Sequence, residues 1–331
     1  MFGVFPDSSM NQSTRISYVI MAVLLVLIGA LHLGTLLLTA LFGFFALRLF
    51  SFGKSKFLGL ALYLVAIAVI GWGLIHFSRQ AYLALPKIAE TTIPAVTDFA
   101  QKQGIELPFT DYASLKDLTL DEVKQDFASL GRHAREAGFA VVQLFIGLVV
   151  AASLFLSAKW GTENDPGTAR DSLYATVVNE LSERFQIFFK SFAKVAGAQI
   201  IISAINTAFT CAFLVWAGYP YVMVLTATTF LCGVLPIIGN LISNTLIVFV
   251  GFTISPHTAL FALIFLLVIH KLEYFLNSKI IGDRIKTPMW LTLIGIVLGE
   301  KLMGIPGMIL APIVLHYLKV EASQSKAAFA A

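Results

Sequence analysis

Neutral hydrogen-bonding side chains collect around a proline–glycine turn in the C-terminal half of the sequence, and they could bind a polar solute. Proline removes a backbone donor and glycine admits bends, so this turn breaks a helix and frees backbone carbonyls. Inside a membrane such carbonyls are tolerated only where protein or a water-filled cavity satisfies them. The alternative is that the polar side chains merely bond neighbouring helices, at about 1 kcal/mol each. The substrate-path candidates are Asn206, Pro236, Gly239, Asn240, Ser243 and Asn244.

Few ionisable residues lie in or beside the apolar segments, and these are the candidates for coupling to an ion. Lys271 and Glu273 follow a long uncharged stretch and are interpreted as helix-end residues whose side chains reach the interface. The pair Glu300 and Lys301 interrupts the last apolar stretch, where a central charge costs roughly 2.5–3.5 kcal/mol. Glu300 is either solvated at the tip of a broken hairpin or a coupling carboxylate with Lys301 as its partner.

The sequence lacks the motifs of the common enzyme classes. It has no Walker loop, no His-Glu-x-x-His zinc pair and no Gly-x-Ser-x-Gly elbow. Its two cysteines, Cys211 and Cys232, lie inside apolar runs, which predicts neither a disulfide framework nor a zinc cluster. We therefore expect no enzyme activity, no cofactor and no metal. Transport without a nucleotide site has to be passive or driven by an ion gradient.

The composition is that of a polytopic membrane protein. Of 331 residues, 58% are hydrophobic and only 13% are charged, and the mean hydropathy is +0.84. Soluble domains carry roughly 25% charged residues, so a soluble enzyme is excluded. High hydrophobicity excludes a disordered chain. The net charge of +4 is too small and dispersed to indicate nucleic-acid binding.

Gaps between charged residues delimit the predicted membrane spans. Residues 16–47 carry no Asp, Glu, Lys or Arg and suit a hairpin of two helices that turns near residues 29–34. Two further gaps, at residues 57–78 and 137–158, are each about 22 residues, or about 33 Å of helix, which is enough to cross a bilayer.

The C-terminal half holds the longest apolar segments. Residues 195–270 carry no formal charge, and a run of this length accommodates roughly three to four crossings. A charged loop is expected at residues 271–286. The last apolar stretch, residues 291–318, is interrupted by small residues and proline, which favours a broken or re-entrant hairpin. The residues assigned to that hairpin are Gly299, Gly304, Gly307 and Pro312.

Lys and Arg in short loops predict the orientation. Arg48, Lys54 and Lys56 occur without an acid, so their loop and the N-terminus are expected in the cytoplasm, and alternation places the C-terminus there too. The predicted fold is an all-α integral membrane protein with about eight transmembrane or re-entrant helices. Its parts are N-terminal membrane helices (1–78), an extracytoplasmic helical insert opened by a Thr119–Glu122 capping box (79–136), a fourth span (137–158), a cytoplasmic amphipathic helix (159–194), a C-terminal membrane core (195–318) and a cytoplasmic tail (319–331).

The stretch from about Tyr174 to Val320 resembles the autoinducer-2 exporter family of bacterial membrane proteins, also called PerM-like permeases. Three segments match in order. The first is the amphipathic helix leading into a long uncharged hairpin, and the second is the turn with Pro236 and Gly239. The third is the tail Gly299–Gly307, which ends in Ala311 and Pro312.

This resemblance implies an all-helical, homo-oligomeric protein of the bacterial inner membrane. The family is linked to export of the quorum signal autoinducer-2, and some members resemble sodium/proton antiporters. Two positions depart from the pattern, because family members commonly have aspartate where Gly233 stands and often have proline where Asn240 stands. If that aspartate couples ions elsewhere, this protein has lost coupling or uses another group.

Three functions stay open from the sequence. The first is export of a small polar metabolite, such as autoinducer-2, by facilitated or ion-coupled transport. The second is sodium (lithium)/proton antiport, for which Glu273, Glu300 and Asp283 are the candidate ligands. The third is a membrane assembly protein that transports nothing and binds a partner through residues 79–136. The expected partners are the bilayer, a polar solute or monovalent cation, and further copies of the chain, but no nucleic acid.

Overall fold

The described part of the chain is helical. The structure, a computed structural model, describes residues 12–51, 55–105, 127–157, 173–236, 238–281 and 288–330. These ranges contain helices and short turns but no strand. Six of the described helices are long and apolar enough to cross a membrane. The predicted class, an all-α integral membrane protein, is confirmed, as expected where backbone groups must be satisfied within the helix.

The helices fall into longer and shorter apolar segments. Full crossings are offered by parts of α1, α3, α4, α5, α8 and α10, whereas α2, α6 and α7 are shorter. In chain order the described helices are α1 (Gln12–Ala30), α2 (Gly34–Phe50), α3 (Lys56–Lys102), α4 (Phe127–Ser157), α5 (Leu173–Trp216), α6 (Val222–Gly233), α7 (Ile238–Ile254), α8 (Pro256–Ile281), α9 (Met289–Met303) and α10 (Ile305–Ala330).

Three helices extend beyond the spans expected from the charge gaps. α3 continues to Lys102, through Pro86 and Pro94, and so occupies part of the segment predicted as an outer insert. α5 joins the predicted amphipathic helix to the uncharged block without a break, and α8 continues to Ile281 where a loop was expected. A helix ends where its capping and tertiary contacts end, not where hydropathy changes. The Thr119–Glu122 capping box lies outside the described residues.

The chain divides into two compact units. Unit 1 comprises Met1–Tyr63, Val142–Gly197 and Arg284–Ala331. Unit 2 comprises Leu64–Val141 and Ala198–Asp283. The polar turn around Pro236 therefore belongs to unit 2, and the terminal hairpin belongs to unit 1.

In unit 1, a side-chain amide closes the N-terminal hairpin. The chain turns between Ala30 and Gly34, inside the stretch predicted for the turn. Gln143 of α4 is buried; its Nε2 donates to the His32 carbonyl at 2.9 Å, and its Oε1 accepts from the Leu36 amide at 3.2 Å. Both partners are backbone groups that the ends of helices leave without an internal bond.

A charged cluster ties α1, α5 and α10 together in the same unit. The Arg184 guanidinium lies 4.0 Å from the centroid of the Tyr18 ring and 3.0 Å from a Glu180 carboxylate oxygen. The Tyr18 hydroxyl donates to Glu321 at 3.3 Å. Beside this cluster, Phe188 and Tyr317 pack edge to face with ring centroids 5.4 Å apart. Arg184 is thereby buried with both a carboxylate and an aromatic face as partners, as a buried charge requires.

The terminal hairpin of unit 1 depends on close contact between two glycines. α9 and α10 are separated by Gly304, whose φ of 65° is a left-handed conformation that glycine adopts without steric cost. Gly299 and Gly307 face each other so closely that a Cβ on either would collide with the carbonyl oxygen of the other. Pro312 lies inside α10. The small residues predicted to form the hairpin thus lie where two helix backbones meet.

Unit 2 contains α6, α7 and α8, each of which packs against the next, together with the C-terminal half of α5. Its core contains Leu214, Leu225, Ile247 and Val250, all almost completely buried. Phe213 stacks on Phe265 with ring centroids 4.3 Å apart, which joins α5 to α8. These contacts hold together α5, α7 and α8, the three helices that carry the polar residues considered next.

We predict that Gly299→Ala destabilises the folded protein by about 1–3 kcal/mol, because a rigid backbone carbonyl cannot move aside for the added methyl group. The measurement is the free energy of unfolding in detergent. Gly71→Ala is the matched control, since nothing lies within 4 Å of a Cβ at this helical glycine. Alanine there should be neutral or stabilising by up to about 1 kcal/mol. Equal stability of the two variants would contradict the close glycine contact.

Candidate functional site

A carboxylate held by two side-chain amides forms the candidate site in unit 2. Glu273 of α8 accepts a hydrogen bond from Nδ2 of Asn240 of α7, at 2.6 Å from its Oε2 atom. Nδ2 of Asn206 of α5 lies 3.5 Å from the same oxygen. The Glu273 side chain is only 12% exposed. Three helices thus converge on one carboxylate, and both amides present donors to it.

A histidine and a carbonyl oxygen complete the surroundings of Glu273. His270, one turn earlier on α8, places Nδ1 3.8 Å from the Glu273 Oε2 atom, and its side chain is 48% exposed. The imidazole therefore links the carboxylate to the surface of the unit. Oδ1 of Asn206 is buried and accepts no hydrogen bond from the described residues. The site therefore contains an amide oxygen, beside the carboxylate, that could accept a further hydrogen bond.

The sequence of α5 explains why Asn206 reaches this carboxylate. Gln199, Ser203 and Asn206 recur at helical spacing on one face of the helix. Gln199 donates to the Gly233 carbonyl at 2.7 Å, and Ser203 donates to the Phe230 carbonyl at 2.9 Å. These carbonyls belong to the last turn of α6. The C=O groups of a last helical turn have no hydrogen-bond donor within their own helix. The first two polar residues therefore fasten α6, and Asn206, the next on this face, lies beside α8.

The turn between α6 and α7 places Asn240. The Leu235 amide donates to the Cys232 carbonyl at 2.8 Å, and the Ile238 amide donates to the Pro236 carbonyl at 2.7 Å. A Cβ at Gly239 would collide with the Cys232 carbonyl, so the first turn of α7 lies directly on the end of α6. Pro236 and Gly239 therefore act on the site by shaping the backbone that carries Asn240.

The remaining substrate-path candidates lie further along α7. Ser243 is buried and its hydroxyl donates to the Asn240 carbonyl at 3.3 Å, within its own helix. Asn244 lies one turn after Asn240 and is partly exposed. The described contacts thus bring together Asn206, Asn240 and Glu273, and they leave Ser243 and Asn244 outside this cluster.

Glu300 and Lys301 have different surroundings. They lie near the end of α9 in unit 1, with 3.4 Å between Nζ of Lys301 and Oε2 of Glu300. The Glu300 side chain is 44% exposed and that of Lys301 is 77% exposed. An exposed ion pair of this kind contributes about 0–1 kcal/mol. The structure surrounds Glu300 with far fewer partners than Glu273.

Glu273 ends the apolar part of α8 that could cross a membrane, as its sequence position indicates, but it does not end the helix itself. α8 continues for eight residues beyond it, to Ile281, and the side chain turns inward to the two amides. The sequence predicts a solute path for the two amides and ion coupling for Glu273, whereas the structure brings all three side chains into contact. Three side chains separated by 33 residues or more along the chain carry no local signal of this contact.

The arrangement can hold a proton or a hard cation. An ionised carboxylate inside an apolar bundle requires hydrogen-bond donors or a cation, which is why the amides matter. Carboxylate and amide oxygens are the ligands that hard cations prefer. The described residues contain no group of three or more His, Cys, Asp and Glu side chains that could hold a metal ion. A carboxylate beside an amide oxygen is chemically able to take up a proton or a small cation.

We predict that Asn240 and Glu273 are energetically coupled. A hydrogen bond to a charged group contributes about 1.5–3 kcal/mol, so a double-mutant cycle of Asn240→Ala and Glu273→Ala should give a coupling energy of at least about 1 kcal/mol. The readout is the free energy of unfolding. The control cycle pairs Asn244→Ala with Glu273→Ala and should give less than about 0.5 kcal/mol. Coupling of equal size in both cycles would contradict a specific contact.

Comparison with known proteins agrees with a transport role. The family model described as AI-2E family transporter matches residues 13–324. Two relatives come from Bacillus subtilis (strain 168). "Putative transport protein YdbI" is 28% identical over 136 residues, which are 40% of this chain and 39% of the relative. "Putative transport protein YueF" is 31% identical over 137 residues, which are 41% of this chain and 35% of the relative.

These two alignments span little more than a third of each relative's length. The family model extends much further, from α1 to α10. It thereby confirms the resemblance that the C-terminal motifs indicate. With its apolar helices and this nearly complete match, the chain is a multi-pass membrane protein that belongs to the AI-2E transporter family.

Proposed function

We propose that the protein exports a small polar metabolite and that Glu273 couples this movement to a proton or a monovalent cation. The observation that carries the proposal is the Glu273 carboxylate, 12% exposed and held by the Asn240 amide at 2.6 Å. Membership of the family supports transport but does not identify the cargo. Autoinducer-2 is the first solute to test, because the family is linked to its export. The proposal gives the coupling role to Glu273 and none to Glu300.

The amides around Glu273 can satisfy it in both of its states. When ionised, the carboxylate accepts hydrogen bonds from Asn240 and Asn206. When protonated, it needs an acceptor for its own hydrogen, and Oδ1 of Asn206 is buried beside it without a donor among the described residues. A primary amide presents a donor and an acceptor and exchanges them by rotation about its terminal bond. Protonation of the Glu273 carboxylate would therefore give the buried Oδ1 atom of Asn206 the donor that it otherwise lacks.

The same amides can bind a hydroxylated solute. Because solute and Glu273 would share these amides, solute binding would affect ion binding. A neutral amide can bond a hydroxyl group as well as a carboxylate. A solute that engages the Asn240 amide changes the hydrogen bonds that stabilise Glu273. Solute binding and ion binding then affect each other reciprocally, as coupled transport requires.

Sodium (lithium)/proton antiport is the second candidate. Oδ1 of Asn206 and the Glu273 carboxylate offer two oxygen ligands of the type that hard cations take. Under this function the cation would replace the proton at Glu273, and no organic solute would be moved. The two functions share the coupling residue and differ in cargo.

The test is flux across proteoliposomes that contain the purified protein, with and without an imposed proton or sodium gradient. For the wild type we expect saturable autoinducer-2 flux that rises with the gradient. Glu273→Gln keeps the shape of the side chain but cannot ionise. Because a charge-assisted hydrogen bond of about 1.5–3 kcal/mol corresponds to roughly 10- to 100-fold in binding, the gradient-driven component should fall at least about tenfold.

Glu300→Gln is the matched control, since it makes the same chemical change at an exposed position of unit 1. It should keep the response of the wild type to the gradient. Gradient-driven flux that survives in Glu273→Gln but is lost in Glu300→Gln would move the coupling role to Glu300. If autoinducer-2 is not moved while a pH-sensitive dye reports cation/proton exchange that needs Glu273, the antiport function replaces export.

A further inference from the structure

A basic cavity in unit 1 is separate in sequence and in kind from the Glu273 cluster. Its volume is about 410 Å³. Among the described residues that line it there are three cations and no acid. The lining that matters chemically consists of Arg48, Lys56 and Lys190 together with Phe44, Phe155 and Phe189.

The cations of this cavity come from three helices and two of them are held in position. The Arg48 guanidinium of α2 lies 6.0 Å from the centroid of the Phe44 ring and 5.7 Å from that of Phe189, within the range of cation–π contact. The two rings pack edge to face at 5.0 Å. Nζ of Lys56 in α3 donates to the Leu156 carbonyl at 2.9 Å. These contacts keep positive charge at the cavity in the absence of a ligand.

The cavity lies at the ends of apolar segments. Arg48 is in the last turn of α2, Lys56 is the first residue of α3, and Phe155 is two residues from the end of α4. The ends of membrane-spanning helices meet the headgroup region of the bilayer. Lipid phosphates occupy that depth, and acyl chains begin immediately below it. A pocket that combines cations with phenylalanine rings at this depth matches both parts of a phospholipid.

We propose that this cavity binds the phosphate group of an anionic membrane phospholipid, with the phenylalanine rings against its glycerol and upper acyl region. Three like charges repel one another unless an anion joins them. A guanidinium can also hold two phosphate oxygens at once. Basic pockets between membrane helices are known to take lipid headgroups by these interactions. The inference is independent of the proposed transport function, since it uses none of the residues of the Glu273 cluster.

The experiment titrates the full-length purified protein in detergent with short-chain phosphatidylglycerol or phosphatidylcholine and counts bound lipid by native mass spectrometry. We expect tighter binding of phosphatidylglycerol. Each cation near a lipid surface contributes about fivefold in affinity, so Lys190→Gln should weaken phosphatidylglycerol binding about fivefold and Arg48→Gln with Lys190→Gln about 25-fold. Binding of phosphatidylcholine should not change.

Lys301→Gln is the matched control, because it removes an exposed cation from the same unit. It should bind phosphatidylglycerol as the wild type does. Lys190 is exposed, so its single variant tests the site even if the double variant fails to fold. Equal affinity for the two lipids, wild-type affinity in Lys190→Gln, or an equal loss in Lys301→Gln would each overturn the proposal.

A competition arm separates a lipid from a soluble ligand. sn-Glycero-3-phosphoglycerol carries the same phosphodiester without acyl chains and should displace phosphatidylglycerol only weakly. Displacement at concentrations comparable with those of the lipid would overturn the lipid assignment and identify the cavity as a site for a soluble phosphorylated compound. Flux through the Glu273 path would be unaffected by either result, so failure here leaves the proposed function untouched.

Discussion

The requirement that backbone groups in an apolar bundle find an internal partner shapes the turns of this structure. Buried amide and hydroxyl side chains are directed to particular backbone groups, as where Gln143 serves the turn after α1 and Gln199 and Ser203 serve the end of α6. These bonds hold irregular backbone in place at the ends of helices. Glu273 differs from these residues, because its hydrogen-bond partners are amide side chains that can exchange donors for acceptors. A group held in that way can change its state without breaking the fold.

Two breaks in the helices meet this requirement differently. At Gly304 the chain reverses and the backbones of α9 and α10 lie in direct contact through Gly299 and Gly307. That contact leaves no room for a side chain or a solute between the two glycines. At Pro236 the break instead directs the first turn of α7, and with it Asn240, towards α8. At the first break, two glycines bring the helix backbones into contact. At the second, an amide side chain is brought within hydrogen-bond distance of a carboxylate.

The sequence is most informative where hydrophobicity alone decides, and least where a contact spans many residues. The charge gaps predict the fold class and the positions of the apolar segments. They do not predict that α3 continues to Lys102 or that α5 is one helix. Hydropathy indicates which residues could lie in a membrane, but it does not indicate where the backbone hydrogen bonds of a helix end. The turn at Pro236 is recognisable from its residues. The contact of Asn240 with Glu273 is not, since it depends on how α7 and α8 pack.

Gly233 and Asn240, the two positions that depart from the family pattern described above, both lie at the turn between α6 and α7. A Cβ at Gly233 would collide with the Ser203 hydroxyl, so a larger residue at this position would displace that hydroxyl from its hydrogen bond to the Phe230 carbonyl. Asn240 replaces a residue type that has no side-chain donor with one that donates to Glu273 at 2.6 Å. The chain thus lacks an acid at the end of α6 and has an amide that stabilises an acid on α8.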